Sequence, residues 1–162
     1  MSINQEQQER TVDLLYNIPE ELRRRPQWVV WKLEKRGGKN TKVPYIAGGV
    51  GMASTVDMMT WRTFEEAADA LRSSGRYDGA GYVFSTGDPY SAVDLDDCRN
   101  PETGEIEEWA RRVVEDLGGY TEVSQSGAGL HVVVRGKAPN KKRGKVEAYS
   151  SERYFAMTGR AL

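Results

Sequence analysis

Ala92-Val93-Asp94-Leu95-Asp96-Asp97-Cys98 alternates apolar and acidic side chains. A period of two belongs to a β-strand, so Asp94 and Asp96 project from one face while Val93 and Leu95 enter a core on the other. Two carboxylates on one strand face resist joint ionisation unless a cation neutralises them. Mg²⁺ and Mn²⁺ suit such a pair, because these hard ions take oxygen ligands and complete their shells with water and substrate phosphates. The strand is thus a candidate metal shelf for phosphoryl or nucleotidyl transfer. Asp97, after the alternation ends, reads as a turn or capping residue.

The segments around this shelf extend the pattern. Upstream, residues 81–84 form a strand that reaches residues 91–96 through the turn Gly87-Asp88-Pro89. Further back, Thr63-Phe64-Glu65-Glu66 is a capping box opening a helix with apolar positions Phe64, Ala67, Ala68 and Leu71. Residues 27–34 and 41–46 are strand-forming and read as a hairpin turned through Gly37-Gly38-Lys39-Asn40, with Pro44 placing the return strand at an edge or near its end. The amino-terminal stretch predicts a helix over 5–16 and a short one near 19–23. Downstream, a helix is expected over 105–117, then strands at 120–124, 130–135, 146–149 and 153–157. The order implies an α+β protein built on a mostly antiparallel sheet with helices on one side.

At 162 residues the chain is long enough for one sizeable core. Hydrophobic content of 38% and charged content of 29% fit an ordered globular chain and exclude wholesale disorder. No apolar run approaches the roughly 18 residues of a membrane span, and the polar amino terminus lacks a signal-peptide core. One cysteine and one histidine exclude an intrachain disulfide and a Cys/His zinc site; a cytoplasmic location is expected. Charge is unevenly spread: residues 23–42 hold eight basic side chains and one acid, and residues 135–145 hold six basic side chains and no acid. Between them lie ten acids over residues 88–116. Basic blocks flanking an acidic shelf suit a polyanionic substrate.

Several further residues carry chemistry. Ser126-Gly127-Ala128-Gly129 is a small-residue loop whose N–H groups could approach an anion, with the Ser124 and Ser126 hydroxyls beside them. His131 follows at once and could donate to phosphate, although a lone strand histidine is more often a packed or surface residue than a catalytic one. Glu147, between Val146 and Ala148, offers a third carboxylate, although taken alone it reads first as a surface strand residue. Lys42 could pair with phosphate. Arg153 brings a guanidinium beside Tyr154 and Phe155. No stretch matches a Walker-type phosphate loop.

In order, Thr41-Lys42-Val43-Pro44-Tyr45, Asp94-Leu95-Asp96-Asp97, Ser124-Gln125-Ser126-Gly127-Ala128-Gly129-Leu130-His131, Val146-Glu147-Ala148-Tyr149 and Arg153–Gly159 resemble the primase-polymerase (prim-pol) domains of the archaeo-eukaryotic primase superfamily, in the branch found on phages and plasmids. The resemblance runs from about Gln27 to Gly159. It implies an RRM-like catalytic sheet and template-dependent nucleotidyl transfer on single-stranded DNA with nucleoside triphosphates. By the same resemblance, Asp94, Asp96 and Glu147 would hold two divalent ions, Mg²⁺ or Mn²⁺. His131, with Ser124, Ser126, Gly127 and Gly129, would meet the triphosphate, and Lys42 and Arg153 fall in family-like segments. Residues 1–162 would then form one catalytic domain at the front of a longer replication protein, working with a helicase domain or subunit. Two other readings compete: a rolling-circle nuclease, which needs paired histidines this chain lacks, and a non-catalytic single-strand-binding module.

Overall fold

The computed structural model of the chain describes residues 3–162. Strand formers build β1 (Trp28–Arg36), which doubles back as β2 (Lys39–Tyr45). The loop residues Gly37 and Gly38 have φ of +57° and +79°. Left-handed backbone at both positions matches the twist of a two-residue hairpin and is free of strain in glycine. Pro44 lies opposite Trp31 on β2, the outer strand, as its missing N–H requires. β3 (Gly79–Phe84) pairs with β1, and β9 (Arg153–Met157) pairs with β3, giving an antiparallel sheet of order β2-β1-β3-β9. Helices α1 (Ile3–Leu15), α2 (Glu20–Arg23) and α3 (Phe64–Ser73) cover one face of it. Val12, Leu15, Leu22, Phe64 and Leu71 share one core with Trp28, Val30 and Tyr82. The capping box at the start of α3 is formed in both directions, between Thr63 and Glu66.

The second sheet holds the acidic strand at its centre. Its order is β5 (Tyr120–Val123), β6 (Leu130–Arg135), β4 (Tyr90–Leu95), β8 (Val146–Tyr149) and β7 (Lys141–Arg143), antiparallel throughout. Helix α4 (Glu108–Leu117) links β4 to β5. Because β6 lies between those two strands and is antiparallel to each, they run parallel in a split β-α-β unit. The side-chain alternation of β4 then sorts its residues between two environments. Val93 and Leu95 pack with Ala110, Val113 and Val114 of α4, whereas Ala92 points the other way and joins Phe84, Phe155 and Tyr149 in the main core.

The single sheet with helices on one side, expected from the sequence, is instead an α+β arrangement of two antiparallel sheets, with α4 on the side of the second sheet away from the main core. After β8 the chain turns through Glu152, whose φ is +58°, and pairs with β3 rather than continuing in the second sheet. Beyond β9, Thr158-Gly159 leads it back, and Ala161 bridges to Glu122 on the outer edge of β5. Two boundaries also shift. The strand of the acidic motif ends at Leu95, and α4 starts at Glu108 because Ile106 pairs with Arg99 instead. Part of the expected basic loop is the short edge strand β7. Among the described residues no helix is long and apolar enough to cross a membrane.

Candidate active site

Strand register assembles the site. Asp94 on β4 stands directly opposite His131 on β6 and Glu147 on β8, so all three occupy the same sheet face on adjacent strands. Their side chains are 23%, 10% and 20% exposed, at the rim where the second sheet leaves the main core. Asp96 lies one residue beyond the strand end and is exposed, with its N–H donating to the Lys145 carbonyl at 2.8 Å. The sequence placed both aspartates on an open face; the structure half-buries the first and leaves the second in solvent. Burial lifts the Asp94 carboxyl above its ordinary range. The Asp96 and Glu147 charges push it further up, against a pull downward from His131 and Lys42.

Positive charge surrounds this cluster. Arg153 forms an ion pair with Glu147 and lies 4.8 Å from the Tyr149 ring centroid. Lys42 rests over the Trp31 ring at 5.8 Å. The basic block at 135–145 divides in use. Lys137 donates to the buried Asp88 carboxylate at 3.0 Å and to three backbone carbonyls, and Arg135 pairs with Glu21. Lys141, Lys142 and Arg143 on β7 are exposed. A broad hollow of about 820 Å³ lies nearby, between Asp97 and Arg111. Glu102, Glu105, Glu107 and Glu108 line it, which unsuits it to phosphate.

The glycine-rich loop is built differently from the expected open cradle. Gly127 N–H donates to the Ser124 carbonyl at 2.9 Å, Ala128 N–H to Ser126 Oγ at 3.2 Å and Gly129 N–H to Ser124 Oγ at 3.1 Å. These donors close a tight turn and are not free for an anion. Gly129 is needed for closeness: a Cβ there would stand 2.7 Å from the Leu95 carbonyl. The loop therefore seats β6 against the end of β4, and Ser126 remains its exposed hydroxyl.

Among the described residues, no three carboxylate, imidazole or thiol groups converge as a ready-made metal cage. The donor set still fits Mg²⁺ or Mn²⁺, ions typically held by one or two carboxylates plus substrate phosphates. Asp94 and Glu147 face each other on adjacent strands with Asp96 beyond them, and Glu147 would have to exchange Arg153 for the metal.

One residue central to the geometry is not conspicuous in the sequence. Glu122 on β5 is fully buried and accepts from Thr158 N–H at 2.7 Å, Gly159 N–H at 3.0 Å and the Tyr120 hydroxyl at 2.9 Å. It also stands 3.3 Å from His131 Nδ1. The signal was available in the register, since the short turn between β5 and β6 pairs Glu122 with His131.

No family model matches the chain. The chain is similar in sequence to the DNA primase-polymerase of Nitratiruptor phage NrS-1, with 38% identity over 146 residues. The match covers 85% of this chain and 20% of the phage protein, so the chain spans a fifth of the length of that curated relative.

Proposed function

We propose that this chain is the catalytic prim-pol domain of a replication protein of a phage or related mobile element, and that it performs template-dependent nucleotidyl transfer. The observation that carries the reading is the register-aligned row Glu147–Asp94–His131 across three adjacent strands, in a chain related to a phage primase-polymerase. In this reading β4, α4, β5, β6 and β8 form the RRM-like sheet of the archaeo-eukaryotic primase type.

Asp94, Asp96 and Glu147 would hold the divalent ions, Mg²⁺ or Mn²⁺, which when bound activate the primer 3′-hydroxyl and neutralise the triphosphate. The hydroxyl gives its proton to solvent, its oxygen forms a new bond to the α-phosphorus, and the bond from that phosphorus to the bridging oxygen breaks as pyrophosphate leaves. His131 presents its ring to the incoming nucleotide from the inner side of the shelf, with the Ser126 hydroxyl near the turn. Lys42 adds positive charge to the same pocket. Arg153, released from Glu147, is free to meet a phosphate oxygen. The exposed cations of β7 and of the β1–β2 hairpin line routes for the template and primer backbones. A helicase domain or subunit would supply the single strand. The Arg153–Glu147 ion pair, which occupies the third carboxylate, favours a second reading, a non-catalytic single-strand-binding module.

Primer extension on a single-stranded template with Mg²⁺ or Mn²⁺ and each nucleotide type separates the two. The enzyme reading expects metal-dependent products that fall by about two orders of magnitude or more in Asp94→Ala, the scale of losing one group that stabilises developing charge. Strand binding without any product, in a chain that retains its fold, would leave the binding module.

A further inference from the structure

We infer that Glu122 is a positioning residue for His131: it holds the proton on Nδ1 and so makes Nε2 the nitrogen presented to the nucleotide. The inference rests on the nucleotide-handling reading of His131. A fully buried carboxylate is costly unless its oxygens are satisfied by donors, and at Glu122 both are. Oε1 accepts from Gly159 N–H and the Tyr120 hydroxyl, and Oε2 accepts from Thr158 N–H, while the Thr158 hydroxyl beside it, 3.2 Å away, donates to the Val123 carbonyl at 2.6 Å.

A carboxylate oxygen serving those donors can only accept from the imidazole 3.3 Å away, so the proton lies on His131 Nδ1. The ring plane is set separately by Phe155, stacked at 4.3 Å with an interplanar angle of 11°. With one edge tied and the plane fixed, Nε2 points to the carboxylate row. It stands 3.8 Å from Asp94 Oδ1, beyond hydrogen-bond length, and as the unprotonated nitrogen of the neutral ring it is an acceptor, open to a hydroxyl or water proton at the nucleotide site. An imidazole bound through one nitrogen commonly has its orientation and tautomer set by a carboxylate on the other.

The test exploits the sequence's single histidine, whose two ring ¹⁵N signals are told apart by their couplings to Hδ2 and Hε1. In the unmutated chain, at a pH where the ring is neutral, Nδ1 should resonate as the protonated nitrogen; a protonated Nε2 would overturn the inference without any variant. This readout does not depend on polymerase activity, so its failure is distinct from failure of the proposed function.

Binding of dATP with Mg²⁺, measured by calorimetry, supplies the second arm. Glu122→Gln should weaken it about tenfold, the lower end of what partners behind a ligating residue contribute. In a His131→Ala background the same change should cost nothing further. An equal loss in both backgrounds would make Glu122 a structural residue and overturn its role through His131.

Discussion

Burial raises the Asp94 carboxyl, and the Asp96 and Glu147 charges add to the rise. The folded chain therefore keeps a proton on Asp94 at pH values where the unfolded chain has lost it. Stability contributed by this group falls as pH climbs from the ordinary 3.8 through the raised value. At neutral pH without metal, Asp94 works against the fold. Asp94→Asn should raise the metal-free Tm by roughly 2–4 °C for each kcal/mol relieved. The same substitution should abolish any stabilisation by Mg²⁺ or Mn²⁺, and thermal unfolding with and without the ion checks both. A lower metal-free Tm would contradict this account of the carboxyl. The paired acids were legible in the sequence because strand alternation puts them on one side. Their unequal burial was not, since it depends on where β4 ends.

At the scale of elements, the basic block after β6 serves two purposes. Lys137 folds its partly exposed side chain back onto the protein, its ammonium held by Asp88 and three carbonyls, while the β7 side chains project into solvent. Lys137→Met would strand a buried carboxylate and should cost about 3 kcal/mol in denaturant unfolding. Replacing Lys141, Lys142 and Arg143 with alanine should leave stability within about 0.5 kcal/mol. It should instead reduce the salt dependence of single-strand binding, by roughly 0.7 in slope for each phosphate no longer neutralised. Unfolding midpoints and binding titrations at several salt concentrations separate the two classes. Composition identifies the block as basic; which cations pair within the protein follows from the path of the chain between β6 and β8.

Across the whole molecule, the last five residues join the two sheets. Thr158 and Gly159 donate to Glu122, Leu162 N–H donates to the Thr121 carbonyl at 3.0 Å, and Arg160 reaches the carbonyls of Ser124 and Gln125 before the histidine strand. Ending the chain after Met157 should remove these donors from a buried carboxylate and destabilise the protein by at least about 3 kcal/mol. Calorimetric unfolding of the shortened chain checks this, and an unchanged Tm would show that Glu122 finds other donors.

The sequence by itself determined the α-helices and every strand but β7, with ends within a few residues: the β1–β2 hairpin, the capping box of α3, the edge position of Pro44 and the acid-bearing strand. Each follows from a local rule, either the twofold period of a strand or the backbone freedom of one residue type. It also placed Asp94, His131 and Glu147 among the candidates, in the chain order that resembles the prim-pol family. Only the tertiary structure decided that these three stand in one row, that the glycine-loop N–H groups are already bonded, and that Glu122 lies behind the histidine. Those outcomes depend on strand order and on the return of the chain from β9 to β5, pairings between segments far apart in sequence. No local period encodes them, because they arise when two sheets bury their apolar faces against each other.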